Sequence, residues 1–186
     1  MAAPVIPNNL PRYQRIVTTH NKEGKAIVSD VDTTAPWQTN IEHGKAHFSL
    51  GWITNDFPVN TAEGADIQTY KNYLEKPPGI VQNSGSVLRI VDASPGHLSP
   101  MHRTVSLDYG VVLFGEIELV LDSGETKIMK QGDVCIQRGT MHAWRNTSKT
   151  EWARMMYVLQ PCRPIEHDGK SLEEDYGNMP GVRASS

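Results

Sequence analysis

Short apolar runs separated by turn residues most limit what this chain can form. Gly, Pro, Asn and Asp recur at short intervals, as in the turns at residues 83–85, 122–124 and 138–139. Val, Ile and Leu fill the stretches between them, and several of those stretches alternate apolar with polar residues. This pattern is typical of an all-β sandwich or barrel, because each strand then shows one face to a core and the other to solvent.

The same pattern places the individual elements. Residues 65–74 form the one predicted helix, and the polar tail from residue 161 is interrupted by Pro and Gly, which predicts an irregular arm. The predicted strands are residues 13–19, 25–28, 46–54, 86–92, 107–114, 115–121, 125–129, 132–137, a strand beginning at 142, and 152–159. We expect one domain in three parts. These parts are an N-terminal arm with extra strands packed on a barrel (1–80), the barrel core (81–160) and an irregular C-terminal tail (161–186).

Composition excludes several classes of function. The chain has 186 residues and a formal net charge of −3, which argues against a nucleic-acid or anionic-membrane surface because both need a basic patch. No apolar run approaches the roughly 18 residues of a membrane span. The N-terminus lacks the pattern of a secretory signal, and two cysteines cannot build a disulfide framework. We therefore expect a soluble cytoplasmic protein that binds a small molecule and neither nucleic acid nor membrane.

Two segments carry histidines where a barrel interior would receive them. In the first, His102, Thr104 and Asp108 have the same parity, so an extended backbone would project them onto one face. In the second, a strand ends in a glycine turn and another begins at His142, with Trp144 on the same face. Polar groups that converge in a barrel interior indicate a binding or catalytic site.

Together the two segments resemble the two motifs of the cupin family, small β-barrels of jelly-roll type. The matching positions are Gly96, His102, Thr104, Asp108 and Gly115 in the first motif, and Gly132, Gly139, His142 and Asn146 in the second. The second motif has one residue fewer between its glycines and lacks the family's proline. The resemblance covers about residues 85–160 and implies an all-β fold, a single cupin jelly-roll β-barrel.

The resemblance also implies a ligand set. Cupins commonly bind a divalent metal through three His and one Glu, and here Thr104 replaces one His and Asp108 replaces the Glu. Carried over, the metal ligands are His102, Asp108 and His142, the two-imidazole, one-carboxylate set of non-haem iron sites, with Fe, Zn, Ni or Mn as candidates. The alternative is a metal-free site in which the same three catalytic residues handle protons.

Four further residues are candidates for substrate binding. Arg89 lies in the middle of a strand, where its head either enters the cavity to pair with a carboxylate or extends along the edge to solvent. Thr104 and Trp144 share the histidine faces, and Tyr157 faces inward or outward according to the parity of the last strand. His97 follows Gly96 in a turn, and we expect it to be solvated.

The amino-acid sequences of both motifs resemble those of a subgroup of single-domain cupins. This subgroup is common in fungi and is associated with secondary metabolism, particularly polyketide tailoring. This implies an enzyme acting on a small, partly apolar, oxygenated or carboxylic substrate. Decarboxylation or dehydration is one predicted chemistry and metal-dependent oxidation the other; the alternative function is non-catalytic metabolite binding. We also expect a homodimer, because the N-terminal arm could pair with the exposed edge of a second barrel.

Overall fold

A computed structural model describes residues 6–32, 34–183 and 185 of the chain. The helix is α1 (Ala65–Glu75), and single 3-10 turns occur at Glu42–Gly44 and Ala62–Gly64. The strands are β1 (Thr18–His20), β2 (Ala26–Val28), β3 (Trp37–Ile41), β4 (Ala46–Ile53), β5 (Val87–Ala93), β6 (Ser106–Phe114), β7 (Glu116–Leu121), β8 (Thr126–Lys130), β9 (Val134–Arg138), β10 (His142–Asn146), β11 (Ala153–Pro161), β12 (Ile165–His167) and β13 (Lys170–Leu172).

Two antiparallel sheets enclose the core and form the predicted jelly-roll barrel. The larger sheet has six strands in the order β3-β4-β5-β11-β6-β9, and the smaller has three in the order β10-β7-β8. Strand β11, late in the chain, lies between β5 and β6, so the order in the sheet departs from the order in the sequence as jelly-roll connections require.

Alternation along β6 explains how the sequence produces a polar interior at this point. Ser106, Asp108, Gly110 and Val112 are buried, whereas Tyr109 on the opposite face is exposed. The side-chain period of two in a strand therefore directs the polar even-numbered residues inward. The predicted strand at residues 107–114 is confirmed.

The apolar core lies beside this polar wall and extends to the helix. Tyr70 of α1 stacks on Trp52 with ring centroids 4.7 Å apart, and its hydroxyl donates to the Leu50 carbonyl. The predicted helix at residues 65–74 is thereby confirmed and packs on β4. The buried apolar cluster includes Leu50, Ile53, Tyr70, Ile80, Val81, Val87, Val112, Ile117, Met129, Ala153, Met155, Tyr157 and Leu159.

The N-terminal part of the chain contributes to the barrel more directly than the sequence indicates. Strands β3 and β4 are hydrogen-bonded members of the larger sheet, with β4 paired to β5. The predicted strand at residues 13–19 is reduced to Thr18–His20, because the preceding residues lie against the barrel. Arg15 there donates to the carbonyls of Gly51 and Asp32.

The C-terminal tail packs against the barrel and contains one short hairpin. Strands β12 and β13 pair with each other, which the prediction of a wholly irregular tail did not include. Beyond them, Asp175 exchanges backbone hydrogen bonds with Arg103, and the Pro180 carbonyl accepts from the Glu42 amide. These contacts place Met179 at the barrel interior.

Neither the helix α1 nor the two 3-10 turns of the described residues is long and apolar enough to cross a membrane.

Candidate active site

The two histidine segments meet through their backbones. The His102 amide donates to the His142 carbonyl at 2.8 Å, and the His142 amide donates to the His102 carbonyl at 2.9 Å. This antiparallel bridge sets the two imidazole rings side by side, with centroids 4.3 Å apart. Two residues forty positions apart in the sequence thus form one pair of buried rings.

The protein holds both rings through the same ring atom. Nδ1 of His102 lies 2.8 Å from the Pro100 carbonyl oxygen, and Nδ1 of His142 lies 2.9 Å from the Thr140 carbonyl oxygen. The side-chain amide of Gln137 also contacts Nδ1 of His142 at 2.8 Å. With Nδ1 engaged by the protein, Nε2 is the nitrogen of each ring that remains for a ligand.

Burial keeps these two imidazoles neutral near pH 7. It lowers the pKa of His142 to about 3, and the neighbouring His102 ring lowers it further in the same direction. The pKa of His102 is also lowered by burial, against the opposing effects of the Pro100 carbonyl and the Glu42 carboxylate. Each ring therefore has a free lone pair with which to accept a proton.

Asp108 lines the same cavity but has its own surroundings. Burial raises the pKa of its carboxyl to about 7, and the hydroxyls of Ser106 and Thr104 counteract only part of this rise. Oδ1 is buried and has no hydrogen-bond partner. A carboxyl in this state carries a proton for much of the time at neutral pH and can donate it.

The three-ligand metal set carried over from the family resemblance is not formed. Across residues 6–32, 34–183 and 185, no group of three or more His, Cys, Asp or Glu is arranged to hold one metal ion. Asp108 acts electrostatically on Tyr157 and Cys135, whereas neither His102 nor His142 contributes to its pKa shift. The residues present, as placed, do not fit a metal site of two imidazoles and this carboxylate.

Aromatic side chains form one wall of the cavity, which has a volume of about 780 Å³ including the part open to solvent. Trp144 meets the His142 ring edge-on at 5.4 Å, and Tyr157 lies 5.8 Å beyond Trp144. The parity of β11 that the sequence left open is therefore resolved, with Tyr157 and Met155 facing inward. The Tyr157 hydroxyl donates to the Met155 sulfur, and Gly110 leaves room for the tyrosine ring.

Thr104 and Arg89 also line the cavity, as the sequence predicted for Thr104 and left open for Arg89. Thr104 is buried, and its hydroxyl accepts a hydrogen bond from Ser106. Arg89 enters the interior rather than reaching solvent, and 8% of its surface is exposed. Burial lowers the pKa of Arg89 to about 10, so its guanidinium still carries a charge at neutral pH.

Two further titratable side chains, His97 and Glu42, line the cavity although the sequence did not indicate it. The expectation that His97 lies in a solvated turn is wrong, because it is buried with Nε2 3.4 Å from Oε2 of Glu42. Glu42 is also buried, and it has a left-handed backbone with φ of 48°. The position of His97 could have been suspected from the sequence, because it directly follows Gly96, the first position of the first motif. Glu42 has no such signal, because no periodicity in the sequence indicates the turn that brings it inward.

Comparison of the sequence with known proteins identifies the family. Residues 89–159 match the family model described as a cupin domain. The chain is 50% identical over 159 residues to phomopsin biosynthesis cluster protein D of Diaporthe leptostromiformis, covering 85% of this chain and 83% of that protein. It is 41% identical to the cupin-domain-containing oxidoreductase virC of Hypocrea virens, covering 84% of this chain and 79% of that protein.

The protein therefore belongs to the cupin family. Within it, the chain belongs with the cupins of fungal secondary metabolism, since one of these relatives is named as a biosynthesis cluster protein and the other as a cupin-domain-containing oxidoreductase. Among solved structures, the polyketide cyclase RemF of Streptomyces resistomycificus is 17% identical with a TM-score of 0.46, covering 80% of this chain and 83% of that one.

Proposed function

We propose that this protein is an enzyme that modifies a small, partly apolar, oxygenated molecule of secondary metabolism by proton transfer inside the cavity. The observation that carries the proposal is the pair of buried imidazoles, His102 and His142, with ring centroids 4.3 Å apart beside the same cavity as Asp108. Relatives from fungal biosynthesis clusters, several of them named cupin-domain oxidoreductases, support the metabolic setting and an enzymatic role.

His102 and His142 act as general bases in this proposal. Each ring is neutral at pH 7 and has Nε2 free, so either can take a proton from a carbon adjacent to a carbonyl group, and His142, with its pKa lowered to about 3, is the weaker base of the two. The Pro100 and Thr140 carbonyls, which hold the Nδ1 atoms, stabilise the cation that forms. The two rings would share the role, because a second positive charge beside the first is unfavourable.

Asp108 acts as the general acid. When one imidazole removes the α-proton of a β-hydroxy ketone, the protonated carboxyl of Asp108 can give its proton to the departing hydroxyl group. The C–O bond breaks, a C=C bond forms and water leaves. Release of the imidazolium proton to water and uptake of a proton from water by the aspartate then restore both groups. Dehydration is thus the reaction that these residues perform with balanced protons, and decarboxylation of a keto acid uses the same acid to protonate the enolate.

Trp144, Tyr157 and Thr104 bind and orient the substrate. The two aromatic rings offer an apolar wall beside the bases, which suits the carbon skeleton of a polyketide-like molecule. The Thr104 hydroxyl lies near the acid and supplies a polar contact at that end. Such walls also limit the access of water to the reacting carbon.

Oxidation is the second candidate, favoured by the names of the relatives. The same bases would deprotonate the substrate, and molecular oxygen would take up the two electrons and two protons that the substrate loses and leave as hydrogen peroxide. Turnover by the purified protein with oxygen excluded supports dehydration or decarboxylation. A strict requirement for oxygen supports oxidation instead.

Substitution of each histidine by asparagine tests the proposal. The asparagine amide keeps a donor near the position of Nδ1 but removes Nε2. A strain that lacks the gene should accumulate the unconverted intermediate, and so should such a strain complemented with a variant. The intermediate isolated from these strains is then incubated with the purified wild-type or variant protein. We expect the double variant His102→Asn/His142→Asn to lower its conversion by about 10² to 10⁴-fold, and each single variant to lower it less, because the remaining ring can still accept the proton. The exposed His167→Asn is the matched control and should convert it normally.

Unchanged conversion by the double variant contradicts the proposal. An intermediate that binds tightly to the wild-type protein without any turnover supports the alternative, a non-catalytic binding protein.

A further inference from the structure

Arg89 is a buried charge without a counter-charge. It lies in the middle of β5 with 8% of its surface exposed, and its Nη2 donates to the Gly79 carbonyl at 2.9 Å. Nε is buried and has no hydrogen-bond partner. Among the residues that the structure describes, no Asp or Glu forms an ion pair with it. Burial of an unpaired guanidinium is unfavourable, so a group with this arrangement calls for an external partner.

Arg154, in the same sheet, is a buried arginine whose guanidinium is paired with a carboxylate. Its Nε and Nη2 donate to the two carboxylate oxygens of Asp92 at 2.5 and 2.7 Å, and its Nη1 donates to the Pro11 carbonyl. Arg89 carries the same fork of donors, but its Nε has no oxygen to bind. The difference between these two buried arginines is the absence of a carboxylate opposite Arg89.

The surroundings of Arg89 limit the charge and shape of that partner. The guanidinium carbon lies 5.8 Å from the centre of the Phe48 ring, and Ile80 and Val91 also line the cavity near it. A second, smaller pocket formed by Pro77, Gly79 and neighbouring residues adjoins Arg89 on its other side. The acidic residue Glu42 lines the central cavity, so a second negative charge on the ligand is disfavoured there.

We propose that Arg89 anchors the carboxylate of the ligand, so that the cavity takes an apolar monocarboxylic acid. A planar carboxylate fits the arginine fork through two parallel hydrogen bonds. A phosphate, with more oxygens and charge, would leave acceptors unmatched among these apolar walls. This inference deepens the proposed function by naming the substrate class, and it rests on that function only for the identification of the cavity as the active site.

Binding of model acids tests the inference without turnover. The probes are benzoate, phenylacetate and hexanoate, with benzamide as the neutral counterpart of benzoate. We expect benzoate to bind at least about tenfold more tightly than benzamide. In ¹H–¹⁵N spectra of the arginine Nε–H groups, the resonance of Arg89 should shift on addition of each acid. The resonance of Arg154, whose Nε is already paired with Asp92, should stay in place.

Loss of one Nε–H signal in Arg89→Lys assigns that signal to Arg89. The same variant also tests the contribution of the guanidinium to affinity. We expect it to lose about tenfold or more in benzoate affinity while its affinity for benzamide changes less than about twofold. Arg163→Lys, at an exposed arginine outside the cavity, is the matched control and should bind benzoate as the wild type does.

Equal affinity for benzoate and benzamide, or a benzoate preference that survives in Arg89→Lys, overturns the inference. So does an Arg89 Nε–H resonance that none of the three acids shifts. If Arg89→Lys does not fold, assignment of the Arg89 Nε–H resonance through the backbone resonances of the wild-type protein lets the shifts in that protein decide the matter alone. Because no turnover is measured, a negative result leaves the proton-transfer function of His102 and His142 standing, and loss of that function leaves carboxylate binding intact.

Discussion

Asp108 and His142 have exchanged their usual order of protonation within one cavity. The pKa of the carboxyl is raised to about 7, whereas the pKa of the imidazole is lowered to about 3. Burial is the main cause of both shifts, because it disfavours the charged form of either group. Near pH 6 the carboxyl therefore holds a proton and the imidazole does not, so the two groups start in the protonation states of a general acid and a general base.

Asp108→Asn should remove a pH dependence from the stability of the protein. The folded state keeps a proton on Asp108 that the unfolded state loses, so the contribution of this group to stability decreases as pH rises from about 4 to about 7. The full shift corresponds to roughly 4 kcal/mol at most. Urea unfolding at pH 4, 6 and 8 should show the variant gaining stability relative to wild type as pH rises.

His142 has the opposite dependence, and it remains in both proteins. Its lowered pKa makes stability decrease as pH falls from about 6.5 towards 3. The comparison between wild type and Asp108→Asn cancels this effect. Asp122→Asn, at an exposed carboxyl in a turn, is the control and should follow the wild-type profile. Parallel profiles for Asp108→Asn and wild type would contradict the assignment of a raised pKa to Asp108.

Arg154→Met should destabilise the fold and release the N-terminal residues. Removing the guanidinium leaves the Asp92 carboxylate buried without its partner, which costs about 3–5 kcal/mol. It also removes the donor to the Pro11 carbonyl. Denaturant unfolding measures the loss, and hydrogen exchange at residues 8–15 should accelerate. The double variant Asp92→Leu/Arg154→Met should recover part of the loss, since no unpaired charge remains. A loss below about 1 kcal/mol for the single variant would refute this account.

Protein purified without chelators should retain little first-row transition metal. His102 and His142 could offer only two imidazole nitrogens to a metal ion, and Asp108 does not join them in a group that could hold one. Elemental analysis should therefore find well below one equivalent, with no difference between wild type and the double variant His102→Asn/His142→Asn. About one equivalent of a single metal that both single histidine variants lose would show that the three residues rearrange into the ligand set implied by the family.

Homodimer formation stays a prediction, and the structure supplies a specific way to test it. Strand β9 is an outer strand of the larger sheet, and Val134 and Ile136 on it are 58% and 50% exposed. We expect the wild type to sediment as a dimer at micromolar concentration and Val134→Lys/Ile136→Lys to sediment as a monomer. Ile128→Lys, at an exposed apolar residue of the smaller sheet, should remain dimeric. A monomeric wild type would contradict the prediction.

The strands and the histidine pair could be predicted because their signals are local. Period-two alternation directs Thr104 and Asp108 to the same face of the chain, and the spacing of both motifs indicates that His102 and His142 meet. The spacing of the motifs does not determine where the Asp108 carboxyl lies within the cavity. Parity places Asp108 on the correct face but does not bring it to the imidazoles.

The missed residues come from distant parts of the chain. Glu42 reaches the cavity from a turn between β3 and β4, and Met179 reaches it from the C-terminal tail. Their places depend on tertiary contacts such as the hydrogen bond from the Glu42 amide to the Pro180 carbonyl. No alternation or motif in either segment signals such a contact. The burial of His97 likewise follows from its pairing with Glu42 across the fold.

The most direct test of the proposed chemistry is the titration of the histidine rings by NMR. In ¹H–¹⁵N spectra recorded from pH 8 to pH 4, we expect the His142 ring to remain neutral throughout and the His102 ring to become protonated only below the ordinary pKa of histidine, about 6.5. His102→Asn and His142→Asn assign the two sets of signals. Protonation of both cavity rings at the ordinary pKa of histidine would contradict the claim that they form a buried, neutral pair of bases.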